Sequence, residues 1–141
     1  MGGVGMNKEI EEIIVKTFFI KGLQQRTLFE LNSNKYRHSR IARITDPLDC
    51  FRKDLIFEIP KPNSDPEVIE KILRKQGAGK MCYVMTSIIS DIDGKQLPLA
   101  EALEKLIWCG MPFIISCIPN KLVYFQGEQS YGPSQKFILK R

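Results

Sequence analysis

The sequence predicts an α+β fold in which an N-terminal helical layer packs on a mainly antiparallel sheet with a C-terminal β-hairpin. Helical periodicity fills the first part of the chain, and short apolar strands fill the last part. Runs of helices followed by runs of strands favour this class over a doubly wound parallel sheet. A length of 141 residues, 43% of them hydrophobic, suits one domain with its own core. We therefore expect a flexible leader at residues 1–6 and a single α+β domain at residues 7–141.

Two amphipathic helices are predicted at the start of this domain. Over residues 7–20, four apolar side chains recur at the helical spacing i, i+3, i+4 and i+8: Ile10, Ile13, Ile14 and Phe18. Asn7 is a candidate N-cap, and glutamates occupy the first turn, where the helix dipole favours them. Gly22 interrupts or ends this helix, and a second amphipathic stretch then continues to about Asn32.

A third, short helix is predicted in the basic stretch of residues 35–45. Three side chains mark its apolar face: Tyr36, Ile41 and Ile44. The opposite face then carries Arg37, Arg40 and Arg43. Pro47 ends the pattern, because proline disfavours a helical conformation in the residue before it.

The middle of the chain predicts two strands with a helix between them. Residues 55–59 are a short strand candidate. Asp65 then supplies an N-cap and Pro66 takes the first helical position, which predicts a helix from about Pro66 to Lys75. The apolar, strand-forming residues 81–90 predict the next strand.

The last part of the chain predicts a turn, a helix and three strands. The turn at residues 91–95 leads into a helix that opens at Pro98 and stops at Gly110. Three apolar strands follow: residues 112–118, 121–125 and 136–140. The first two are joined by a tight turn at Pro119 and therefore predict a β-hairpin.

The four cysteines predict no metal site. No Cys-x-x-Cys pair occurs and His38 is the only histidine, so the ligand spacing of a zinc site is absent. Cys82, Cys109 and Cys117 lie in apolar runs, where a free cysteine is typically a small buried side chain. We expect reduced thiols in the core and no bound cofactor.

Few side chains offer catalytic chemistry. The chain has no Gly-x-Ser-x-Gly motif, and the glycines of residues 76–80 lack the Walker spacing. A cysteine paired with His38 would lack an orienting carboxylate. Asp91 and Asp93 are closely spaced at a strand end, where they could hold a divalent cation or share a proton, although Asp93 followed by Gly94 also suits a plain turn. A metal-assisted enzyme using Asp91 and Asp93 stays an alternative to a chain without catalytic residues.

Basic side chains concentrate in residues 21–45. Glu30 is the one acidic residue there, among six positive ones: Lys21, Arg26, Lys35, Arg37, Arg40 and Arg43. The difference, +5, equals the net charge of the whole chain, so the remainder is neutral. The sequence predicts a non-catalytic protein-interaction module that binds an acidic partner through a basic face: Arg26, Lys35, Arg37, His38, Arg40 and Arg43.

Two alternatives remain for this basic face. Arginines interleaved with Tyr36 and His38 could contact phosphates and stack on a base, which would make the chain a nucleic-acid-binding protein. No helix-turn-helix, RNA-recognition or zinc-finger signature accompanies them. The spacing of Arg40 and Arg43 also suits an ordinary solvated helix face.

The predicted hairpin is apolar on both sides. Val123 and Phe125 point to one face of the strand, and Leu122 and Tyr124 point to the other. Helices can cover one face, and the other needs a second cover. The N-terminal helices or a second copy of the chain could supply it, so a homodimer is a hypothesis.

The sequence gives no signal for a membrane or for export. No apolar run approaches the about 18 residues that a membrane-spanning helix needs. No basic region followed by an apolar core and a small-residue cleavage site occurs at the N-terminus. We therefore expect a cytoplasmic protein without membrane contact.

Overall fold

The computed structural model of the protein describes residues 7–44, 50–59, 65–86, 91–109, 112–117, 122–126 and 136–140. Within these ranges the chain forms five α-helices: α1 (Lys8–Phe18), α2 (Lys21–Leu31), α3 (Arg37–Ile44), α4 (Pro66–Lys75) and α5 (Leu99–Leu106). Short 3-10 helices lie at Lys53–Leu55, before the first strand, and at Ile107–Cys109, after α5.

Six strands form one antiparallel sheet: β1 (Ile56–Glu58), β2 (Met81–Thr86), β3 (Gln96–Pro98), β4 (Phe113–Cys117), β5 (Leu122–Gln126) and β6 (Lys136–Lys140). Their order across the sheet is β1-β6-β5-β4-β2-β3. The antiparallel pair β4 and β5 is the predicted hairpin, with Phe113 opposite Gln126 and Cys117 opposite Leu122. The predicted α+β class, with helices first and antiparallel strands at the end, is confirmed.

Each face of the sheet carries an apolar core, because side chains alternate along the strands. On one face, Val84 and Tyr124 pack with side chains of α4 and α5: Ile69, Leu73, Leu99 and Leu103. On the other face, Tyr83 and Phe125 pack with side chains of the N-terminal helices: Ile14, Phe18, Leu31 and Ile41. The predicted N-terminal layer is therefore present, and a second helical layer covers the opposite face. Because one chain covers both faces of the hairpin, the second cover that motivates a homodimer is already supplied, and the homodimer itself stays a hypothesis.

Local signals set the ends of α1. Asn7 Oδ1 accepts a hydrogen bond from the backbone N–H of Ile10 at 3.1 Å, which confirms the predicted N-cap. The helix ends at Phe18, two residues before the predicted end. Phe19 is already extended there and forms a β-bridge with Phe51, so the backbone leaves the helix to join the chain that precedes β1.

The largest difference from the predicted elements is β3. The sequence predicts a turn at residues 91–95 that leads directly into a helix, and the turn is present, with Gly94 at φ 78°. Three residues of strand then follow, and Leu97 pairs with Cys82 before α5 begins. A strand this short carries too little periodicity to be recognised from the sequence.

The remaining boundaries move by a few residues. α4 and β6 begin and end where the sequence places them, whereas β1 is shorter than residues 55–59 because Leu55 belongs to a 3-10 helix. Several predicted features lie outside the described residues: the leader at 1–6, the helix stop at Pro47, the strand end at 87–90, the helix stop at Gly110 and the turn at Pro119.

The predicted buried thiols are confirmed for Cys82 and Cys117, and Cys50 is also buried. Cys82 lies opposite Cys117 on neighbouring strands. Burial raises the pKa of the Cys117 thiol to about 12; burial and the neighbouring Cys117 raise the pKa of Cys82 to about 12. Both thiols therefore stay protonated at neutral pH. The side chain of Cys109 lies outside the described part of the chain.

Candidate binding surface on α2 and α3

The basic segment folds as a helical hairpin. A short turn after Leu31 reverses the chain, and the Ser33 side chain accepts a hydrogen bond from the Tyr36 N–H at 3.3 Å. The Ser33 carbonyl then accepts from the Arg37 N–H at 2.9 Å, which starts α3. These local bonds set the direction of α3, and two ion clusters hold it in place.

Arg37 lies in the interior, only 4% exposed, with all five guanidinium N–H groups occupied. Its Nη1 and Nη2 donate to the two oxygens of Glu11 at 2.8 and 2.6 Å. Its Nε and Nη2 donate to the two oxygens of Asp93 at 2.8 and 3.0 Å. The fifth bond goes from Nη1 to the Leu31 carbonyl at 3.0 Å. Arg37 therefore joins α1, the end of α2 and the turn before β3.

Tyr83 and the backbone complete this cluster from the sheet. The Tyr83 hydroxyl donates to Glu11 Oε2 at 2.5 Å and accepts from the Asn7 N–H at 3.0 Å, and the Thr86 N–H donates to Asp93 Oδ1 at 3.2 Å. Burial alone would lower the pKa of Arg37, but the hydrogen bonds and charges of Glu11 and Asp93 raise it well above its usual value. Burial, with the Glu11 charge, raises the pKa of Tyr83. Arg37 is therefore charged, and its charge is compensated inside the fold.

A second cluster, formed by Glu30 with Arg26, Arg40 and Arg43, joins α2 to α3. Arg40 is buried, and its Nε donates to Glu30 Oε1 at 2.5 Å while its Nη2 contacts the same oxygen. Arg26 Nε lies 3.6 Å from Glu30 Oε2, and Arg43 Nη2 lies 3.7 Å from Oε1. The side chains of Arg26 and Arg43 are 71% and 52% exposed. One buried carboxylate is thus shared by one buried and two exposed guanidinium groups.

The three arginines change the acidity of Glu30. Burial would raise the pKa of this carboxyl, but the hydrogen bond and charge of Arg40, together with the charges of Arg43 and Arg26, lower it below its ordinary value of 4.5. The positive potential at this point of the hairpin therefore outweighs the loss of solvation. Glu30 is ionised throughout the neutral range.

The lowered pKa of Glu30 predicts a pH-dependent stability. In the pH interval below 4.5 the unfolded state binds a proton at this residue that the folded state does not, so stability from Glu30 is present above 4.5 and is lost as the pH falls through the folded pKa. Urea unfolding of the wild type and of Glu30→Gln should therefore differ most at about pH 7, and the difference should shrink toward about pH 3. An unchanged difference over this range would show that the arginines do not stabilise the Glu30 carboxylate.

In the structure, some residues of the predicted basic face are exposed and others are buried. Arg26, Lys35, His38 and Arg43 are exposed, whereas Arg37 and Arg40 are buried and paired within the chain. The orientation of α3 also differs from the sequence prediction: Ile41 faces the core as expected, but Arg37 and Arg40 point inward with it and Tyr36 is exposed. Two arginines and one isoleucine of α3 therefore face inward. This arrangement is stable because Glu11 and Asp93 neutralise Arg37, and Glu30 neutralises Arg40.

Two exposed aromatic side chains extend the surface that remains. Phe29 on α2 is 66% exposed and Tyr36 before α3 is 41% exposed. Phe29 follows Arg26 by three residues, which places the two on the same side of the helix. Lys35 Nζ lies 5.3 Å from the centroid of the Tyr36 ring, a cation–π contact. We define the α2–α3 surface by its exposed residues: Arg26, Phe29, Lys35, Tyr36, His38 and Arg43.

Sequence reasoning missed Phe29, although a signal was present. In the sequence, the second amphipathic stretch has one face formed by Leu23, Thr27, Leu28 and Leu31, and Phe29 does not fit that face. A large aromatic residue off the apolar stripe and one turn from an arginine is the pattern that could have marked it.

Asp91 and Asp93 differ in exposure and in bonding. Asp91 is exposed, whereas both oxygens of Asp93 accept hydrogen bonds from the buried Arg37. Asp93 is therefore engaged by Arg37, and a cation or shared proton between Asp91 and Asp93 stays a prediction. Among the described residues, no group of three or more His, Cys, Asp or Glu side chains is arranged to hold a metal ion.

Two further observations reach beyond the α2–α3 surface. No helix in the described ranges has both the length and the apolar content needed to cross a membrane. Comparison with protein-family models, curated proteins and solved structures finds no match to this chain. A function for this chain therefore has to be inferred from its own side chains, above all those of α2 and α3.

Proposed function

We propose that this chain is a non-catalytic binding module that captures an acidic protein partner through the α2–α3 surface. The observation that carries the proposal is the separation of charge within one segment. Arg37 and Arg40 are neutralised inside the fold by Glu11, Asp93 and Glu30, while the exposed cations lie beside exposed aromatic rings. A surface of arginine, lysine and aromatic side chains suits an acidic protein by charge and by apolar contact.

The composition of the surface supports a protein partner. Arginine and tyrosine are enriched among the residues that dominate binding energy in protein interfaces. Phe29 exposes a large apolar area next to Arg26, and burial of that area would stabilise a complex. The exposed cations would steer an acidic partner toward the surface and speed its association at low salt.

The two ion clusters also support a binding role, because they hold the surface rigid. The Arg37 cluster fixes α3 to α1 and to the sheet, and the Arg40–Glu30 pair fixes α3 to α2. Exposed side chains on a fixed hairpin lose less conformational entropy on binding than side chains on a mobile loop. The buried arginines thus support binding through the backbone that they position.

Nucleic-acid binding through the same surface is less well supported. Phosphate contacts require several exposed cations, and burial of Arg37 and Arg40 leaves Arg26, Lys35 and Arg43 with His38. Lys35 covers one face of Tyr36, the ring that would stack on a base. We therefore treat nucleic acid as a competing outcome of the experiment.

Charge reversal tests the proposal. The full chain is immobilised as bait for an extract of its source organism, and the captured partner is identified by mass spectrometry, purified and titrated against the bait. The variant Arg26→Glu/Lys35→Glu/Arg43→Glu should weaken binding of the purified partner by at least about a hundredfold, because each lost charge contact contributes about 1 kcal/mol or more. A second variant, Lys35→Glu/His38→Glu, leaves the Glu30 cluster intact and should also weaken binding.

The matched control changes the net charge by the same amount, but at another element of the fold. Lys71, Lys75 and Lys80 are exposed on and after α4, and their triple replacement by Glu should leave the affinity within about twofold of the wild type. An equal loss of affinity in the control and in the α2–α3 variant, or no loss in either, would show that the partner does not bind through the α2–α3 surface. Capture that disappears after nuclease treatment would reject the acidic protein and favour nucleic acid.

A further inference from the structure

The cluster around Glu30 carries more positive charge than the fold uses. Among the described residues three arginines share one carboxylate, so the cluster has two positive charges in excess. Arg40 is buried and is the arginine that hydrogen-bonds Glu30. Arg26 and Arg43 contribute charge from positions that stay open to solvent.

Hydrogen-bond donors are in excess at the same place. The distances of 3.6 Å from Arg26 and 3.7 Å from Arg43 to Glu30 are ion-pair distances that exceed a hydrogen bond. Arg43 Nε donates to the Ser39 carbonyl at 3.3 Å, and the other guanidinium N–H groups of Arg26 and Arg43 make no hydrogen bond within the described residues. Two guanidinium groups from two helices thus approach one carboxylate, and the described part of the chain leaves most of their donors unused.

We propose that Arg26 and Arg43, backed by the buried Arg40, bind the dianionic phosphate group of a phosphorylated side chain on the acidic partner. This inference rests on the proposed function and names the group that anchors the partner. Guanidinium forks match phosphate oxygens in pairs of parallel hydrogen bonds. A phosphate monoester carries a charge of about −2 at neutral pH, which neutralises the excess of the cluster, whereas a carboxylate or a nucleic-acid phosphodiester carries only one negative charge.

The neighbouring residues fit this assignment. Arg26 and Arg43 both lie within ion-pair distance of Glu30, so their guanidinium groups are already close to each other. Binding of a phosphate would therefore cost less side-chain entropy. Phe29 lies one helical turn from Arg26 and offers apolar contact to the residue that carries the phosphate. The predicted ligand is therefore a phosphorylated segment of protein with an apolar residue near the phosphate.

Phenyl phosphate and phenyl sulfate are suitable probes, because they have the same shape and differ by one negative charge at about pH 7.5. The full chain is titrated with each while the arginine Nε–Hε signals are followed by NMR. Phenyl phosphate should bind at least about fivefold more tightly than phenyl sulfate and should shift the signals of Arg26 and Arg43. Equal affinities for the two probes, or shifts spread over all exposed arginines, would overturn the proposal.

Single substitutions assign the site. Arg26→Met and Arg43→Met should each weaken phenyl phosphate binding by about tenfold, the loss expected for one charge-assisted hydrogen-bonded contact. Lys35→Met removes an exposed cation outside the cluster and should have little effect. If Lys35→Met weakens binding as much as Arg43→Met, the phosphate is held by general charge and the site is wrong. If phenyl phosphate does not bind at Arg26 and Arg43 but capture of the partner still depends on charge, the phosphate-binding proposal is wrong and the proposed function stands.

Discussion

Replacing Arg37 with Met should lower the free energy of unfolding by about 3 to 5 kcal/mol, the cost of removing one partner from a buried ion cluster. The Met side chain keeps much of the apolar volume but leaves the carboxylates of Glu11 and Asp93 buried without their main donor. The Tyr83 hydroxyl and the Thr86 N–H would each still donate to one of these carboxylates. Urea unfolding followed by circular dichroism measures the change.

Two further variants make this result specific. Arg37→Lys keeps the charge but cannot form the forked bonds to both carboxylates, so it should also be destabilised, by about 2 kcal/mol or more. Arg43→Met, on the exposed side of the same helix, should cost at most about 1 kcal/mol. If Arg37→Met is as stable as Arg43→Met, the Arg37 cluster does not hold α3 in the fold.

Replacing Phe125 with Ala should cost about 3 to 5 kcal/mol, the range for truncating a buried phenylalanine. Phe125 is fully buried on β5 and lies between two other rings, with centroid distances of 4.7 Å to Phe51 and 5.0 Å to Phe137. Phe51 in turn contacts Phe19, just after α1. Truncation of Phe125 would therefore leave a cavity between the sheet and the N-terminal layer.

Phe29→Ala is the matched control, since it removes the same side chain from an exposed position on α2. It should change the free energy of unfolding by no more than about 0.5 kcal/mol. A small loss for Phe125→Ala, close to that for Phe29→Ala, would mean that the N-terminal layer does not pack on β5 as the structure shows.

The elements that the sequence predicts well carry their signals within a few residues. α4 has Asp65 at the N-cap and Pro66 at the first helical position, and the helix begins where these residues place it. The N-cap of α1 is equally local. The end of α1 depends on a distant residue, because Phe19 leaves the helix to pair with Phe51, far along the chain.

The candidate surface shows the same division between local and distant information. Charge counting locates the basic segment and its exposed residues Arg26, Lys35, His38 and Arg43. It cannot tell that Arg37 is buried, because the compensating carboxylates are 26 and 56 residues away in the chain. Helical periodicity treats an arginine as a polar, outward position, and only the tertiary fold brings Glu11 and Asp93 to it.

The division of the basic segment into buried and exposed arginines can be measured directly by chemical modification. Native protein is treated with phenylglyoxal, which reacts with accessible guanidinium groups, and the modified arginines are quantified by peptide mass spectrometry. Arg26 and Arg43 should react in the native state, whereas Arg37 and Arg40 should react only after the protein is unfolded. Modification of Arg37 in the native state as fast as that of Arg43 would contradict the burial of Arg37 beneath the α2–α3 surface.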